Sequence, residues 1–245
     1  MINIVIPMAG AGSRFLDAGY TTPKPFIDVL GKPMISQVMD NLGDLEAKFY
    51  LIGRKEHLIK EAPLVSLLKK QYSAQFIEID HLTEGTACTV LYARKYINND
   101  EPLLVANSDQ LVDINISDFV EDCKIRNLDG SIMTFLEPEG DNKWSYAYIN
   151  NDGIVQEVRE KEAISEYATV GIYLYAKGRY FVDAVIDMMI ARDTVNNEYY
   201  TCPTYNYIVK EGLDIGIYNI KRSQMHGLGT PEDLHNYTKL INADE

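Results

Sequence analysis

The sequence predicts a single-domain, Rossmann-like three-layer α/β/α fold around a mixed, mostly parallel central sheet. Three observations predict it. Short apolar runs alternate with helix-period segments through the first hundred residues. Leu103-Leu104-Val105-Ala106 contains no polar residue, as expected of a strand covered on both faces. No repeat, low-complexity tract or linker divides the 245 residues, a length that one large α/β domain accommodates.

The elements follow in order. Residues 3–7 read as a buried strand, and the small-residue loop Ala9 to Ser13 follows at once. Pro33 opens a helix with Met34, Ile35, Val38, Met39 and Leu42 on one face, stopped by Gly43. Residues 48–52 form a strand, Leu58, Ile59, Leu64, Val65 and Leu68 mark a helix, and 75–79 form a strand. A helix carrying Ala87, Val90 and Leu91 starts near Thr86 and leads to strand 103–106. This β-α-β-α-β-α-β order implies parallel strands with ligands at their carboxyl ends. In the second half, strands 130–136, 144–150 and 154–159 come close together, the last two joined by the hairpin turn Asn151-Asp152-Gly153. Strand 168–175 precedes a helix over 178–191 with Phe181, Val182, Val185, Ile186 and Met189 on one face. Strand 214–220 follows. Thr230-Pro231-Glu232-Asp233 supplies an N-cap, a proline at N1 and first-turn acids for a last helix striped by Leu234, Tyr237 and Ile241. Both halves are expected to share one sheet.

Composition narrows the function. With 36 acidic against 23 basic residues the net charge is −13, which argues against nucleic acid and against an anionic membrane surface. Any phosphate site must therefore be a local basic pocket. Cys88, Cys123 and Cys202 are widely spaced without metal-ligand spacing and read as reduced thiols. No basic segment precedes the first apolar run and no run reaches spanning length, so the expected compartment is the cytoplasm.

Four stretches carry candidate chemistry. In the first, Gly10 and Gly12 let backbone N–H groups approach a ligand and form an anion-binding concavity, with Arg14 and Lys24 as nearby cations. The loop lacks the third glycine of a dinucleotide fingerprint and the Gly-Lys-Ser/Thr of a P-loop, and a tight turn would use the same residues. In the second, Asp109 follows the buried strand 103–106, where a carboxylate would hold Mg²⁺ or simply form a turn. In the third, Glu84-Gly85-Thr86-Ala87 offers a glycine on which a flat ring can lie, or an N-cap at Thr86. In the fourth, Glu160-Lys161 ends a strand, as an anion clamp or a solvated surface pair. Trp144, Tyr146, Tyr148, Tyr173, Tyr199 and Tyr200 make the second half rich in aromatics, as acceptor walls or as sheet packing. Asn197-Glu198-Tyr199 sets polar beside aromatic and is a further pocket candidate.

Together these motifs resemble one family. Gly-x-Gly-x-Arg-Phe, Pro-Lys-Pro, Gly-Lys-Pro-Met, Gly-Thr-Ala, the strand-end Asp, Glu-Lys and Gly-Thr-Pro-Glu-Asp-Leu stand in the order found in nucleotidylyltransferases that activate sugar phosphates and related metabolites. The resemblance runs from residue 2 to about 238. It implies the nucleotidyltransferase (GT-A-like) fold, with residues 1–110 as the nucleotide-binding half and 111–245 as the acceptor-binding half. It implies that Ala9 and Gly10 meet the base through backbone, with Gly85 and Thr86 on its other side. Gly12, Ser13 and Arg14 would cradle the triphosphate, Lys24 would hold the α-phosphate, and Arg14 and Lys24 would be the catalytic cations. Asp109 would bind Mg²⁺. Glu160, Lys161 and Gly171 would line the acceptor site, Lys161 gripping the acceptor phosphate.

Pro-Met-Ala-Gly, Ala-Asn-Ser-Asp-Gln, Lys-Trp-Ser-Tyr-Ala and Met-His-Gly-Leu-Gly-Thr-Pro are most similar to the capsule- and surface-polysaccharide branch. That branch implies CTP as the nucleotide and phosphoglutamine or a sugar or polyol phosphate as the acceptor, with thymidylyl or uridylyl transfer as the alternative and a homo-oligomer left open. One departure stands out. Many relatives carry a second metal-binding aspartate at the position held here by Gly227; the adjacent His226 is a poor Mg²⁺ ligand. Two further alternatives stay open: a glycosyltransferase, whose Asp-x-Asp lacks its first acid in Asn107-Ser108-Asp109, and a non-catalytic nucleotide-binding regulator.

Overall fold

The structure is a computed structural model and describes residues 1–243. The first half comprises β1 (Ile2–Pro7), α1 (Ser13–Asp17), β2 (Asp28–Val29), β3 (Lys32–Pro33), α2 (Met34–Asn41), β4 (Ala47–Arg54), α3 (Lys55–Lys60), α4 (Ala62–Tyr72), β5 (Gln75–Ile79), α5 (Thr86–Val90), α6 (Arg94–Ile97) and β6 (Leu103–Ala106). The second comprises β7 (Gln110–Val112), α7 (Ile116–Ile125), β8 (Gly130–Leu136), β9 (Ser145–Ile149), β10 (Val155–Glu160), β11 (Tyr167–Tyr175), α8 (Gly178–Ala191), α9 (Thr204–Lys210), β12 (Ile215–Ile220), β13 (Met225–Gly227) and α10 (Pro231–Ala243).

One nine-stranded sheet unites both halves, in the order β10-β9-β11-β6-β1-β4-β5, with β8 pairing β11 and β12. Strands β5, β4, β1 and β6 run parallel; β11 joins β6 antiparallel. Alternate residues of each central strand enter opposite cores. Ile4, Ile6, Leu104 and Ala106 pack on one side; Val5, Leu103 and Val105 pack on the other. This is why Ile4–Ile6 of β1 and all of β6 read as unbroken apolar runs, and it produces the three expected layers.

The adjacency of β1 and β6 positions the site. Their carboxyl ends lie side by side, so the loop after Pro7 and the loop after Ala106 face one another across a crevice. The antiparallel β11 brings Gly171 to the same edge, where Asn107 N–H donates to Gly171 O at 3.0 Å. A small ribbon of β7 and β13 then carries Gly227 beside Gln110.

Several local expectations change. The helix expected across 58–68 is two helices, because Pro63 in the first turn of α4 has no N–H to continue the ladder from α3. Ile59, Ile186 and Met189 face solvent, while Ala184 and Met188 join Phe181, Val182 and Val185 in the core. Helices α1, α7 and α9 and the β7–β13 ribbon were not read from the sequence. The hairpin at Asn151-Asp152-Gly153 forms as expected, with the Asn150 side chain accepting from the N–H groups of Asp152 and Ile154. Thr230 caps α10, its hydroxyl accepting from Asp233 N–H at 3.1 Å.

Tyr205 of α9 ties the second half together. Its buried ring stacks on Tyr175 at 4.7 Å, and its hydroxyl donates to Leu174 O at 2.9 Å. Tyr205→Phe should therefore cost about 1–3 kcal/mol, the penalty for an unpaired buried polar group, read as a lowered urea midpoint with an unchanged m-value.

Candidate active site

Two cavities meet at the carboxyl edge of the parallel strands. The first, about 430 Å³, is lined by the loop from Met8 to Gly12, by Lys24, by Thr83, Gly85, Thr86 and Thr89, by Asn107 to Asp109, and by Glu198. The second, about 610 Å³, is lined by Arg14, Lys143 to Ser145, Glu160, Thr169 to Gly171, Tyr173, Tyr200 to Cys202, Arg222 and the segment around Gly229. Thr86, Asn107 and Asp109 line both.

Lys24 and Asp109 hold that shared wall. Lys24 Nζ donates to Asp109 Oδ2, and the two side chains are only 19% and 23% exposed. Lys24 also lies 5.8 Å from the Phe15 ring centre, which fixes its stem. On the first cavity's floor, a Cβ added to Gly10 would meet nothing within 4 Å, so this backbone is open to a ligand. Gly12 adopts φ 65° and starts α1.

Gly85 has a second reason to be glycine. At φ 118°, a Cβ there would lie 2.4 Å from Tyr199 O. The segment pairs with residue 199 on both sides: Tyr199 N–H donates to Glu84 O at 2.7 Å, and Ala87 N–H donates to Tyr199 O at 3.0 Å. Thr86 is not the helix cap; Gly85 occupies that position, and Thr86 Oγ1 accepts from Thr201 N–H at 3.2 Å. Gly171 is likewise forced: at φ 93°, a Cβ would fall 2.2 Å from Asn107 Nδ2. The Asn107 amide thus packs on Gly171, at the place where an Asp-x-Asp motif would carry its first acid.

In the second cavity, Glu160 accepts from the Ser145 hydroxyl, and burial pushes its carboxyl above the ordinary range. Lys161, at φ 58°, donates through its backbone to Trp144 O at 3.0 Å. Its ammonium donates to the Tyr200 hydroxyl at 2.7 Å and lies 4.6 Å from that ring's centre. Tyr200 donates in turn to Glu198, on the wall of the first cavity. A hydrogen-bonded chain therefore links the two cavities.

Of the residues singled out from sequence, Ala9, Gly10, Gly12, Lys24, Gly85, Thr86 and Asp109 line the first cavity. Arg14, Glu160 and Gly171 line the second, and Lys161 reaches it through Tyr200. Ser13 is exposed at the start of α1 and lines neither. Trp144, Tyr173 and Tyr200 are cavity walls; Tyr146 is core, Tyr148 is exposed, and Tyr199 acts through its backbone. Glu198, of the pocket candidate Asn197-Glu198-Tyr199, lines the first cavity, whereas no short motif marks Asn107, Lys143, Arg222 or Asp233 as cavity residues.

The donor set suits a hard cation. A Cβ on Gly229 would lie 3.5 Å from Asp109 Oδ2 and 3.6 Å from Asp233 Oδ2, so the two carboxylates flank one small space and offer only oxygen. His226 is engaged elsewhere: its Nε2 pairs with Asp113 Oδ2 at 2.6 Å and its ring packs near Tyr237. Gly227 contributes no side chain.

The comparisons decide the family. A family model described as nucleotidyl transferase matches residues 4–201. The chain belongs to the nucleotidyl transferase family. Among its relatives is the bifunctional protein GlmU of Methanococcus aeolicus, 26% identical, covering 95% of this chain and 53% of the relative. The UTP–glucose-1-phosphate uridylyltransferase AglF of Haloferax volcanii is 25% identical, covering 77% of this chain and 84% of the relative. The chain spans about half the length, or less, of the first curated relatives it matches. A solved nucleoside-diphosphate-sugar pyrophosphorylase from Vibrio cholerae RC9 superimposes with a TM-score of 0.81 at 26% identity, covering 96% of this chain and 99% of that one. A Bacillus anthracis structure, with a TM-score of 0.77 at 21% identity, shows the fold alone. Among the described residues no helix is long and apolar enough to cross a membrane.

Glu160 gives a pH test. Its raised value means that, between the ordinary glutamate range and that value, the native state holds a proton the unfolded chain has lost. Stability from this group is therefore lost as pH rises through that window. Glu160→Gln keeps the acceptor oxygen for Ser145, and its melting temperature relative to wild type should increase from pH 4 to pH 8. A constant difference would show that Glu160 does not titrate abnormally.

Proposed function

We propose that the protein is a nucleotidylyltransferase that joins a nucleoside triphosphate to a phosphorylated small molecule and releases pyrophosphate. The observation that carries this reading is the shared wall: two cavities of suitable size meet at Asp109, with the Lys24 ammonium on it. The relatives' names support the sugar-phosphate class, naming mannose 1-phosphate and glucose 1-phosphate as their acceptors. CTP as the nucleotide, phosphoglutamine or a sugar or polyol phosphate as the acceptor, and a role in capsular or surface polysaccharide rest on the sequence resemblance.

In this mechanism the triphosphate lies along the Met8–Gly12 loop, its base between Ala9-Gly10 and Gly85-Thr86. An acceptor phosphate oxygen attacks the α-phosphorus in line; the new P–O bond forms as the bond to the β-phosphate oxygen breaks, and pyrophosphate leaves with the electron pair. The nucleophile is already anionic at neutral pH, so no general base is needed. The protein aligns two anions and offsets their repulsion. Lys24 holds the α-phosphate, Lys161 grips the acceptor phosphate, and Arg14, on the second cavity, faces the junction. Glu198, a carboxylate in an anion site, suits ribose hydroxyls rather than phosphate. Asp109, with Asp233 opposite, would hold Mg²⁺, which when bound neutralises phosphate charge.

A matrix of four nucleoside triphosphates against phosphorylated sugars, polyols, amino acids and choline, followed by pyrophosphate release with Mg²⁺, tests the proposal. Release should require both substrates. No release with any pair would leave a binding protein, and sugar transfer from a nucleotide sugar would make it a glycosyltransferase. Lys24→Ala should fold normally and lose roughly tenfold or more in turnover, by analogy with loss of one oxyanion donor at about 2.7–4 kcal/mol. A near-wild-type rate would remove Lys24 from the mechanism.

A further inference from the structure

The acceptor cavity contains a cation that the proposed reaction does not use. Arg222 stands on a short 3-10 turn, Arg222–Gln224, pinned at both ends: Lys221 N–H donates to Gln224 Oε1 at 3.0 Å, and Gln224 Nε2 donates to Asp113 O at 2.9 Å. Its guanidinium carbon lies 5.0 Å from the Phe135 ring centre and 5.9 Å from that of Trp144. Those rings meet edge-on at 84°, so the guanidinium sits in an aromatic corner. One nitrogen donates to Met225 O at 3.3 Å. Arg54, Arg126, Arg159 and Arg179 each pair with a carboxylate; among the described residues Arg222 does not, nor do Arg14, Arg94 and Arg192. The cavity's acids have other commitments: Asp109 to Lys24, Glu160 to Ser145 and Asp233 to Thr230, with Glu232 exposed to solvent.

A second observation points the same way. Trp144 Nε1 is buried and has no acceptor. The indole N–H is the buried donor there, while Arg222 is exposed and turns its remaining N–H groups to the solvent of the cavity. A buried donor without a partner is costly, and an oxygen-rich anion would satisfy the corner.

Its distance from the chemistry says which part of the acceptor it meets. Phe135 lies opposite Ala168 across β8–β11, and Ile172 lies opposite Ala106 across β11–β6. Two strand spacings across the sheet, about 10 Å, and the further offset along β11 from Ala168 to Ile172 separate Phe135 from the strand end that leads to Asp109. The acceptor phosphate must stand at the Asp109 wall to react, so Arg222 meets the opposite end of the molecule. A planar guanidinium against aromatic walls matches a carboxylate in a forked geometry.

We propose that Arg222 and Trp144 form an anion subsite at the far end of the acceptor cavity, and that the acceptor carries a carboxylate there in addition to its phosphate. This rests on the reading of that cavity as the acceptor site. A sugar phosphate would present only hydroxyls to the cation.

The test uses acceptors in pairs that differ by one carboxylate: phosphoserine with phosphoethanolamine and 3-phosphoglycerate with glycerol 3-phosphate, alongside phosphorylated glutamine and sugar 1-phosphates. Pyrophosphate release is measured for wild type, Arg222→Met and Arg222→Lys. The best acceptor should carry a carboxylate. Arg222→Met should lower kcat/KM on it by about tenfold or more, the worth of a charge-assisted hydrogen bond, with partial recovery in Arg222→Lys. Acceptors without a carboxylate should change less than twofold. An equal loss on both members of a pair would show that Arg222 reads phosphate or only supports the fold, and a best acceptor lacking a carboxylate would also overturn the subsite. Release with no acceptor at all would overturn the cavity's assignment, and the subsite with it; release confined to sugar phosphates would overturn the subsite alone.

Discussion

The contact between Lys24 and Asp109 is the constraint on which the site depends. It joins a loop after β1 to a loop after β6, two segments 85 residues apart, and it closes the wall between two cavities. In a chain of net charge −13, a phosphate-binding pocket needs cations held where the surrounding acid cannot neutralise them. Lys24 is held by one acid that is itself part of the site. Paired, the carboxylate and the ammonium offset the cost of each other's partial burial.

Backbone geometry supports that contact from both sides. Gly171 lets the Asn107 side chain lie flat against β11, which sets the direction of the Asn107–Asp109 loop. Gly85 lets residue 199 run against the Glu84–Ala87 segment, which puts Glu198 on one cavity and Tyr200 on the other. Each glycine sits where a side chain would strike a segment far away in sequence. The requirement is therefore tertiary, in addition to any need for a ligand to approach. The same segment, 198–202, then carries the hydrogen bonds from Glu198 through Tyr200 to Lys161, which tie the walls of the two cavities together.

What was legible in the sequence divides along the same line. Features fixed within a few residues were readable: the apolar runs of β1 and β6, the Gly10 and Gly12 loop, the acid at the end of β6, the turn at Asn151 to Gly153, the cap at Thr230. Their causes lie in local periodicity and turn chemistry. Helix α7 carries a stripe of the same local kind in Ile116, Phe119, Val120 and Cys123. Asp233 and Arg222 were not legible in the same sense, and Glu198 was legible only as polar beside aromatic. Asp233 has a sufficient local explanation as a first-turn acid, and only the approach of Gly229 to Asp109 reveals that it faces the same space. Glu198 and Arg222 reach the cavities through a turn at residues 195–198 and a 3-10 turn, neither of which has a distinctive spacing. Ser13 differs from its motif neighbours: at the start of α1 it is turned to solvent and lines neither cavity.

The two cavities differ in how tightly the fold specifies them, and this bears on how such a protein acquires its substrate. The first is made largely from backbone at the ends of two adjacent central strands, with both faces of the sheet packed beneath it. Substituting its side chains leaves its shape in place. The second is made mostly of side chains, from β9, β10, β11, the 198–202 segment and the turn before β13. Charge and shape there can change one residue at a time without disturbing β1 or β6. An acceptor site built this way records the chemistry of its own ligand in its charges, and in this chain the unspent charge at the far wall is positive.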